Sequence, residues 1–256
     1  MGNYDSSSIE VLSGLEPVRK RPGMYTETER PNHLAQEVID NSVDEAVAGF
    51  GSKIQVVLYE DGSLSVEDNG RGMPTDIHPK ENKPGVEVIL TKLHAGGKFS
   101  NDSYQFSGGL HGVGISVVNA LSSLVEVWIK RDGKEHYMSF ANGGKKTDLE
   151  VIGTVGKRNT GTKVKFKPDG AFFDSEKFSA KKLRHNLRSK AVLCPGLEIH
   201  FHNQIDDTKD QWLYQEGLKD YLSASLDGLD CLPTDPFVVN YESEEQELHC
   251  ALSWTE

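Results

Sequence analysis

The sequence predicts an α+β fold: a two-layer α/β sandwich with a mixed, mainly antiparallel sheet and its helices collected on one face. Three observations predict it. Two pairs of β-rich stretches are each joined by an Asp-Gly dipeptide, at 61–62 and 132–133, which supplies the positive φ that a tight hairpin demands. Segments with apolar residues at helical spacing lie before and after these hairpins. The strands arrive as hairpins rather than in strict alternation with helices, which points away from a doubly wound parallel sheet.

Taken in order, residues 1–30 read as an arm. Ser6-Ser7-Ser8 is polar, and the Pro-bounded stretch Glu16-Pro17-Val18-Arg19-Lys20-Arg21-Pro22-Gly23 cannot be one continuous helix, so the arm has to pack on something. Over 31–48, Leu34, Val38, Ile39, Val43, Ala46 and Val47 recur at helical spacing, with Pro31 in the first turn. Strands over 54–59 and 63–67 form the first hairpin, and strands over 125–130 and 135–140 the second. Further strands are expected at 149–154, 162–167 and 197–202, with a helix near 176–193. A helix over 212–226, a Pro-rich link and a strand over 247–254 follow. That last strand has no evident partner, so 31–217 reads as the main domain and 218–256 as the beginning of a truncated second one.

A chain of 256 residues can bury a sizeable core without staples. Cys194, Cys231 and Cys250 are odd in number and far apart, with no metal-ligand spacing, which suits a reducing cytoplasm. The amino terminus lacks a basic and then apolar leader, and no long apolar run follows, so a soluble, cytoplasmic protein without membrane contact is expected. The formal net charge of -11 argues against a surface that grips a phosphate backbone throughout. Any DNA contact has to be local. Arg19-Lys20-Arg21 and the run Lys181, Lys182, Arg184, Arg188, Lys190 are the candidates, and each also reads as a solvated face.

The chemistry gathers in four places. His33, Glu37 and Asn41 stand at successive i, i+4 positions and so share one stripe of the first long helix. Glu37 can act as general base toward a water, His33 can hold or polarise it, and Asn41 offers a neutral oxygen to Mg²⁺; an ordinary wet helix face is the alternative. Directly after a strand comes Glu67-Asp68-Asn69-Gly70-Arg71-Gly72-Met73-Pro74. Asp68 can accept from an adenine amino group, Gly70 and Gly72 let the backbone turn close to the ring, and Met73 and Pro74 supply an apolar wall. Arg71 can pair with Glu45 at the rim.

The run Ser107-Gly108-Gly109-Leu110-His111-Gly112-Val113-Gly114 opens into a helix over 115–121, where backbone amides can hold phosphate. It matches neither the dinucleotide fingerprint nor the Walker pattern. Upstream, Gly96-Gly97 can hinge a segment that carries Lys98 toward phosphate oxygens, so 94–114 reads as a lid. Last, Thr160-Gly161-Thr162 opens a strand whose hydroxyl can complete the adenine end, although β-propensity explains threonine there as well.

In order, Glu37-x-x-x-Asn41, Asp68-x-Gly70-x-Gly72, Gly109-x-x-Gly112-x-Gly114 and Gly161-Thr162 resemble the gyrase, heat-shock chaperone, histidine kinase and MutL ATPase superfamily, with its Bergerat or GHKL fold. Pro22-Gly23-Met24-Tyr25 and the runs 93–99 and 107–121 look like the ATPase subunits of bacterial type II topoisomerases, and the stretch 30–45 with 105–107 looks more like the topoisomerase IV type than the gyrase type. The resemblance implies Glu37 as base with His33 behind it, Asn41 on Mg²⁺, and Asp68, Gly72 and Thr162 around adenine. It implies Lys98 and the amides of Gly109, Leu110, His111, Gly112, Val113 and Gly114 on the phosphates of ATP, with Tyr104 at the nucleoside. Arg71 and Arg131 would frame the mouth where pocket inhibitors bind, and Tyr4 would complete the site of a second copy of the subunit. A breakage-reunion subunit and DNA would be partners of the full enzyme, with little DNA contact from this part. The family's lysine from the following transducer domain would lie beyond Glu256, so weak hydrolysis in isolation is expected.

Overall fold

A computed structural model describes residues 11–95, 112–243 and 246–255. Along the arm the chain makes one helical turn, α1 (Glu16–Lys20), breaks at Arg21, and restarts as a 3-10 turn over Pro22–Met24. Each piece begins with a proline in its first turn, where the missing N–H costs nothing. This segment packs on the body of the protein. Val18 and Leu15 are buried in the core, Arg19 Nη1 donates to the Ala120 carbonyl at 2.6 Å, and its guanidinium lies 4.8 Å from the Phe172 ring centre.

The long helix α2 (Asn32–Val47) buries Leu34, Ala35, Val38, Ile39 and Val43 together with Asp40, Ser42 and Asp44; the anticipated apolar stripe holds up to its last residue, Val47, which is exposed. Its first residue is anchored reciprocally: Asn32 Nδ2 donates to the Ser179 carbonyl at 3.0 Å, and Ser179 N donates back to Asn32 Oδ1 at 2.9 Å. Strands β1 (Lys53–Leu58) and β2 (Leu64–Asp68) form the first hairpin. After α3 (Gly85–Thr91) and α4 (Gly114–Ala120) comes the second, β3 (Ser122–Arg131) with β4 (Lys134–Ala141). Asp132 and Gly133 adopt φ of 53° and 76°, the two successive positive values that a tight hairpin turn needs.

The short strands β5 (Gly144–Lys145) and β6 (Glu150–Thr154) both pair with β4, and β7 (Gly161–Pro168), α5 (Ala180–Leu193), β8 (Glu198–Asn203) and β9 (Thr208–Trp212) complete the sandwich. The strand order is β5-β4-β3-β7-β2-β1-β8-β9. Among the described residues only the β1–β8 pair is parallel, so the sheet is mixed and mainly antiparallel. Alternate residues Ile54, Val56, Leu64, Val66, Val125, Val127, Ile129, Val164, Phe166, Ile199 and Phe201 are buried in one core with the apolar faces of α2, α4 and α5.

Two expectations fail near the carboxyl end. Residue 212 does not open a helix: Trp212 closes β9 opposite Ile199, and α6 (Leu218–Ser225) starts only after Gly217, whose φ of 57° breaks the chain direction. The final strand is not alone either. β11 (Glu247–Thr255) pairs with β10 (Cys231–Glu242), which runs through the supposed Pro-rich link. Pro233 and Pro236 fall where the register shifts between Leu232 and Phe237, so their missing N–H groups interrupt no ladder bond. Among the described residues no helix is long and apolar enough to cross a membrane.

Candidate functional site

Asp68 ends β2 in the same alternation as Leu64 and Val66, which places its side chain on the helix-covered face. Oδ2 accepts from Ser42 Oγ of α2 at 2.9 Å, and Oδ1 accepts from Gly70 N at 2.9 Å and Thr162 N at 3.2 Å. A carboxylate has about four lone-pair positions, so one remains for an external donor. Burial pushes the Asp68 carboxyl above its ordinary range, opposed by the bonds from Gly70, Ser42 and Thr162 and reinforced by the charge of Glu45.

The glycines here are spatial requirements. A Cβ on Gly161 would stand 2.1 Å from the Asp68 carbonyl oxygen, and one on Gly70 would stand 2.8 Å from Glu45 Cβ. Glu45 in turn binds Arg71 three times, from the backbone N at 2.9 Å, from Nε at 3.1 Å and from Nη2 at 2.7 Å. The same guanidinium lies 3.9 Å over the half-exposed Phe50 ring. Arg131 Nη1 donates to the Gly72 carbonyl at 2.8 Å, and Met73 N donates to Thr162 Oγ1 at 2.9 Å, which leaves the Thr162 hydroxyl proton for another acceptor. Pro74 packs on Gly85 and accepts from Val86 N at 2.9 Å, tying this wall to α3.

The second group lies further toward the start of α2. His33 Nε2 is 3.5 Å from Glu37 Oε1, and His33 Nδ1 is 3.0 Å from Thr26 Oγ1. The other carboxylate oxygen of Glu37 rests against the first residue of α4: a Cβ on Gly114 would meet it at 1.8 Å. Asn41 follows one turn on and is half-buried, like Gly112 and Val113 in front of α4. The structure therefore brings together His33, Glu37 and Gly114 at one end, and Asp68, Arg71, Gly72, Met73, Pro74, Arg131 and Thr162 at the other. Ser42, which holds Asp68, is five residues beyond Glu37, roughly 8 Å along the helix axis. Tyr4, Lys98, Tyr104, Gly109, Leu110 and His111 lie outside the described residues, as does most of the expected lid.

Sequence reasoning missed three contributors. Ser42 sits on the buried apolar stripe of α2, and a hydroxyl in that position has to have a partner; that signal was available. Asn69 Oδ1 accepts from Ser52 N at 2.8 Å and Lys53 N at 2.9 Å, fixing the start of β1 beside Asp68. Thr26 carries no pattern in the sequence and is found only through its contact with His33.

A one-sided sheet and helix sandwich, with a strand-end carboxylate and a helix-borne carboxylate beside a glycine-started helix, defines a nucleotide-binding protein of the two-layer class. The family model described as "Histidine kinase-, DNA gyrase B-, and HSP90-like ATPase" matches residues 26–170, and the chain belongs to that family. Membership brings ATP binding with it. The chain is 62% identical over 254 residues to the DNA topoisomerase 4 B subunit of Pseudomonas aeruginosa, covering 99% of this chain and 40% of that protein. Among solved structures it resembles the topoisomerase IV ATP-binding domain of Francisella tularensis in complex with a small-molecule inhibitor, with a TM-score of 0.79 and 49% identity over 94% of this chain and 64% of that one. It also resembles the 43K ATPase domain of Thermus thermophilus gyrase B in complex with an aminocoumarin, with a TM-score of 0.82 and 40% identity over 92% of this chain and 61% of that one. Backbone shape does not separate the two types. Sequence identity does, in favour of topoisomerase IV.

Proposed function

We propose that the chain binds ATP with Mg²⁺ and hydrolyses it as the amino-terminal ATPase part of a topoisomerase IV B subunit, where nucleotide-driven dimer closure serves DNA strand passage. The observation that carries this reading is Glu37, a carboxylate held on one side by His33 and set on the other against the start of α4. A module that only binds nucleotide needs no such base. Since the chain spans about 40% of the relative it matches, the strand passage itself, the breakage-reunion subunit, DNA and the second copy of the subunit are partners and activities of the longer protein. Residues 218–256 are then the opening of the next domain, and Tyr4 reaches the neighbouring copy's site.

The residues fit the nucleotide. Asp68 has an acceptor position to spare for the adenine amino group and Thr162 has a hydroxyl proton to give, directly or through water. Met73 and Pro74 wall the ring, Gly72 keeps that wall close, and Arg71 and Arg131 hold the rim. The amides of 109–114 and Lys98 grip the phosphates. Asn41 would lend Mg²⁺ one neutral oxygen, which suits a metal that usually takes few ligands from protein. Glu37 takes the proton of the attacking water while His33 keeps the carboxylate aimed.

Replacing Glu37 by Gln tests the base. Single-turnover hydrolysis should fall by roughly 10²–10⁴ while affinity for a non-hydrolysable ATP analogue stays within about two-fold. Unchanged hydrolysis would refute Glu37 as the base, whereas a wild-type chain that binds the analogue and never hydrolyses ATP would be a nucleotide-gated dimerisation module without chemistry.

A further inference from the structure

We infer that Thr26 is a positioning residue for hydrolysis: its hydroxyl hydrogen-bonds His33 Nδ1 and holds the imidazole so that Nε2, carrying the proton that Glu37 attracts, faces Glu37. The inference rests on the reading of Glu37 as the base and adds to it the group that orients the histidine behind it.

The argument starts from what each atom can do. An ionised Glu37 accepts hydrogen bonds and cannot donate them, so attraction across the 3.5 Å between Glu37 Oε1 and His33 Nε2 requires a proton on Nε2. In the neutral ring Nδ1 is then an acceptor. Thr26 Oγ1 lies 3.0 Å away and carries a rotatable proton that satisfies it. The opposite tautomer would aim the bare lone pair of Nε2 at a carboxylate. Glu37 therefore selects the Nε2–H form, and Thr26, whose hydroxyl pairs with Nδ1 at 3.0 Å, holds the ring in the orientation that presents Nε2 to Glu37 rather than to solvent.

Thr26 is itself well fixed. It is 9% exposed, and its N–H donates to the Pro22 carbonyl at 3.0 Å, alongside Tyr25 N donating to the same oxygen at 2.9 Å. The Pro22–Met24 turn thus gives the Pro22-Gly23-Met24-Tyr25 stretch a mechanical purpose: it delivers one hydroxyl to the rear of the histidine. From the other side Glu37 is confined by Gly114, so a rotation of the imidazole cannot be followed by the carboxylate. The chain of control runs from the arm, through Thr26 and His33, to the oxygen that would take a proton from water.

The test uses the 256-residue chain labelled with ¹⁵N-histidine, with long-range ¹H–¹⁵N spectra reporting which ring nitrogen of His33 carries the proton; a His33→Gln spectrum assigns the signal. The wild type should show the Nε2–H form, Thr26→Ser should keep it, and the near-isosteric Thr26→Val should shift it toward a mixture with Nδ1–H. Single-turnover hydrolysis should fall about five-fold in the valine variant, as for one lost hydrogen bond, recover in the serine variant, and do so without change in affinity for the ATP analogue. A wild-type proton on Nδ1, or a valine variant with unaltered tautomer and rate, would overturn the inference. Glu37→Gln is run in parallel. If that variant hydrolyses normally, the base reading fails, whereas the tautomer result still decides independently whether Thr26 sets the ring.

Discussion

The two ends of the site are built on different principles. At the Asp68 end nearly every polar atom is committed: three donors converge on the carboxylate, Arg71 is clamped by Glu45, and Arg131 is tied to the Gly72 carbonyl. At the Glu37 end the carboxylate proposed as the base lies 3.5 Å from His33 on one side and against the start of α4 on the other, where Gly114 carries no side chain. A recognition surface gains from being fully satisfied before the ligand arrives, because little ordering remains to be done on binding. A base has to be aimed at its water, and the room left by the missing Cβ of Gly114 decides where the Glu37 oxygen can lie. Binding and turnover should therefore respond to different substitutions.

Gly114→Ala sharpens this contrast most after removal of the base itself. The added methyl would lie 1.8 Å from Glu37 Oε2, and since a displacement of about 1 Å can cost around 10² in rate, hydrolysis should drop by that order while analogue affinity changes far less. Equal losses in both would break the division between the two ends.

At the other end, Asp68→Asn replaces an acceptor-only group with one that presents N–H donors to the adenine amino group. Analogue affinity should weaken about 10–100-fold, as for a lost hydrogen bond to a charged group, read by calorimetry. The wild type should also bind less well as pH falls through the raised Asp68 titration, because the ligand's donor prefers the ionised form. The sign for stability is opposite. The folded protein holds this proton more tightly than the unfolded chain, so the Asp68 contribution to stability declines as pH rises from the ordinary carboxylate value through the raised one, and is level above it. Asp68→Asn should flatten that slope in urea unfolding measured across acidic pH.

The smallest effect belongs to Ser42→Ala. Loss of the 2.9 Å bond to Asp68 Oδ2 should cost about 1–2 kcal/mol of stability at neutral pH, and less in acid, where a protonated Asp68 no longer needs that donor. Nucleotide turnover, once bound, should be unaffected.

Much of this was legible in the sequence for a physical reason. The glycines at 70, 114 and 161 mark places where an added Cβ would meet a neighbour closer than 3 Å, the Asp68 backbone at Gly161 and the side chains of Glu45 and Glu37 at Gly70 and Gly114. The Asp-Gly turns, the α2 stripe and the strand alternation follow from local geometry in the same way. Contacts between remote segments were not legible: Thr26 on His33 or Asn69 on the start of β1 depend on how the arm and the hairpin dock. The helix expected over 212–226 begins only at Leu218, for a tertiary reason. Trp212 follows Asp210 and Gln211 in a strand selected by pairing with β8, and tertiary pairing overrides a short helical pattern. The β10–β11 hairpin was obscured by two prolines that happen to sit at its register shift. Its side chains Leu232, Phe237, Tyr241, Leu248 and Trp254 are exposed, whereas central sandwich strands such as β7 and β8 bury alternate residues.

The most direct test pairs the two carboxylates in one titration series, with a non-hydrolysable ATP analogue and Mg²⁺ added to Glu37→Gln and to Asp68→Asn, followed by single-turnover hydrolysis of ATP by each. The account predicts that Glu37→Gln binds like the wild type and fails to hydrolyse, while Asp68→Asn loses affinity yet hydrolyses what it binds at close to the normal rate. It would be contradicted by Asp68→Asn binding with undiminished affinity, or by Glu37→Gln turning over at the wild-type rate.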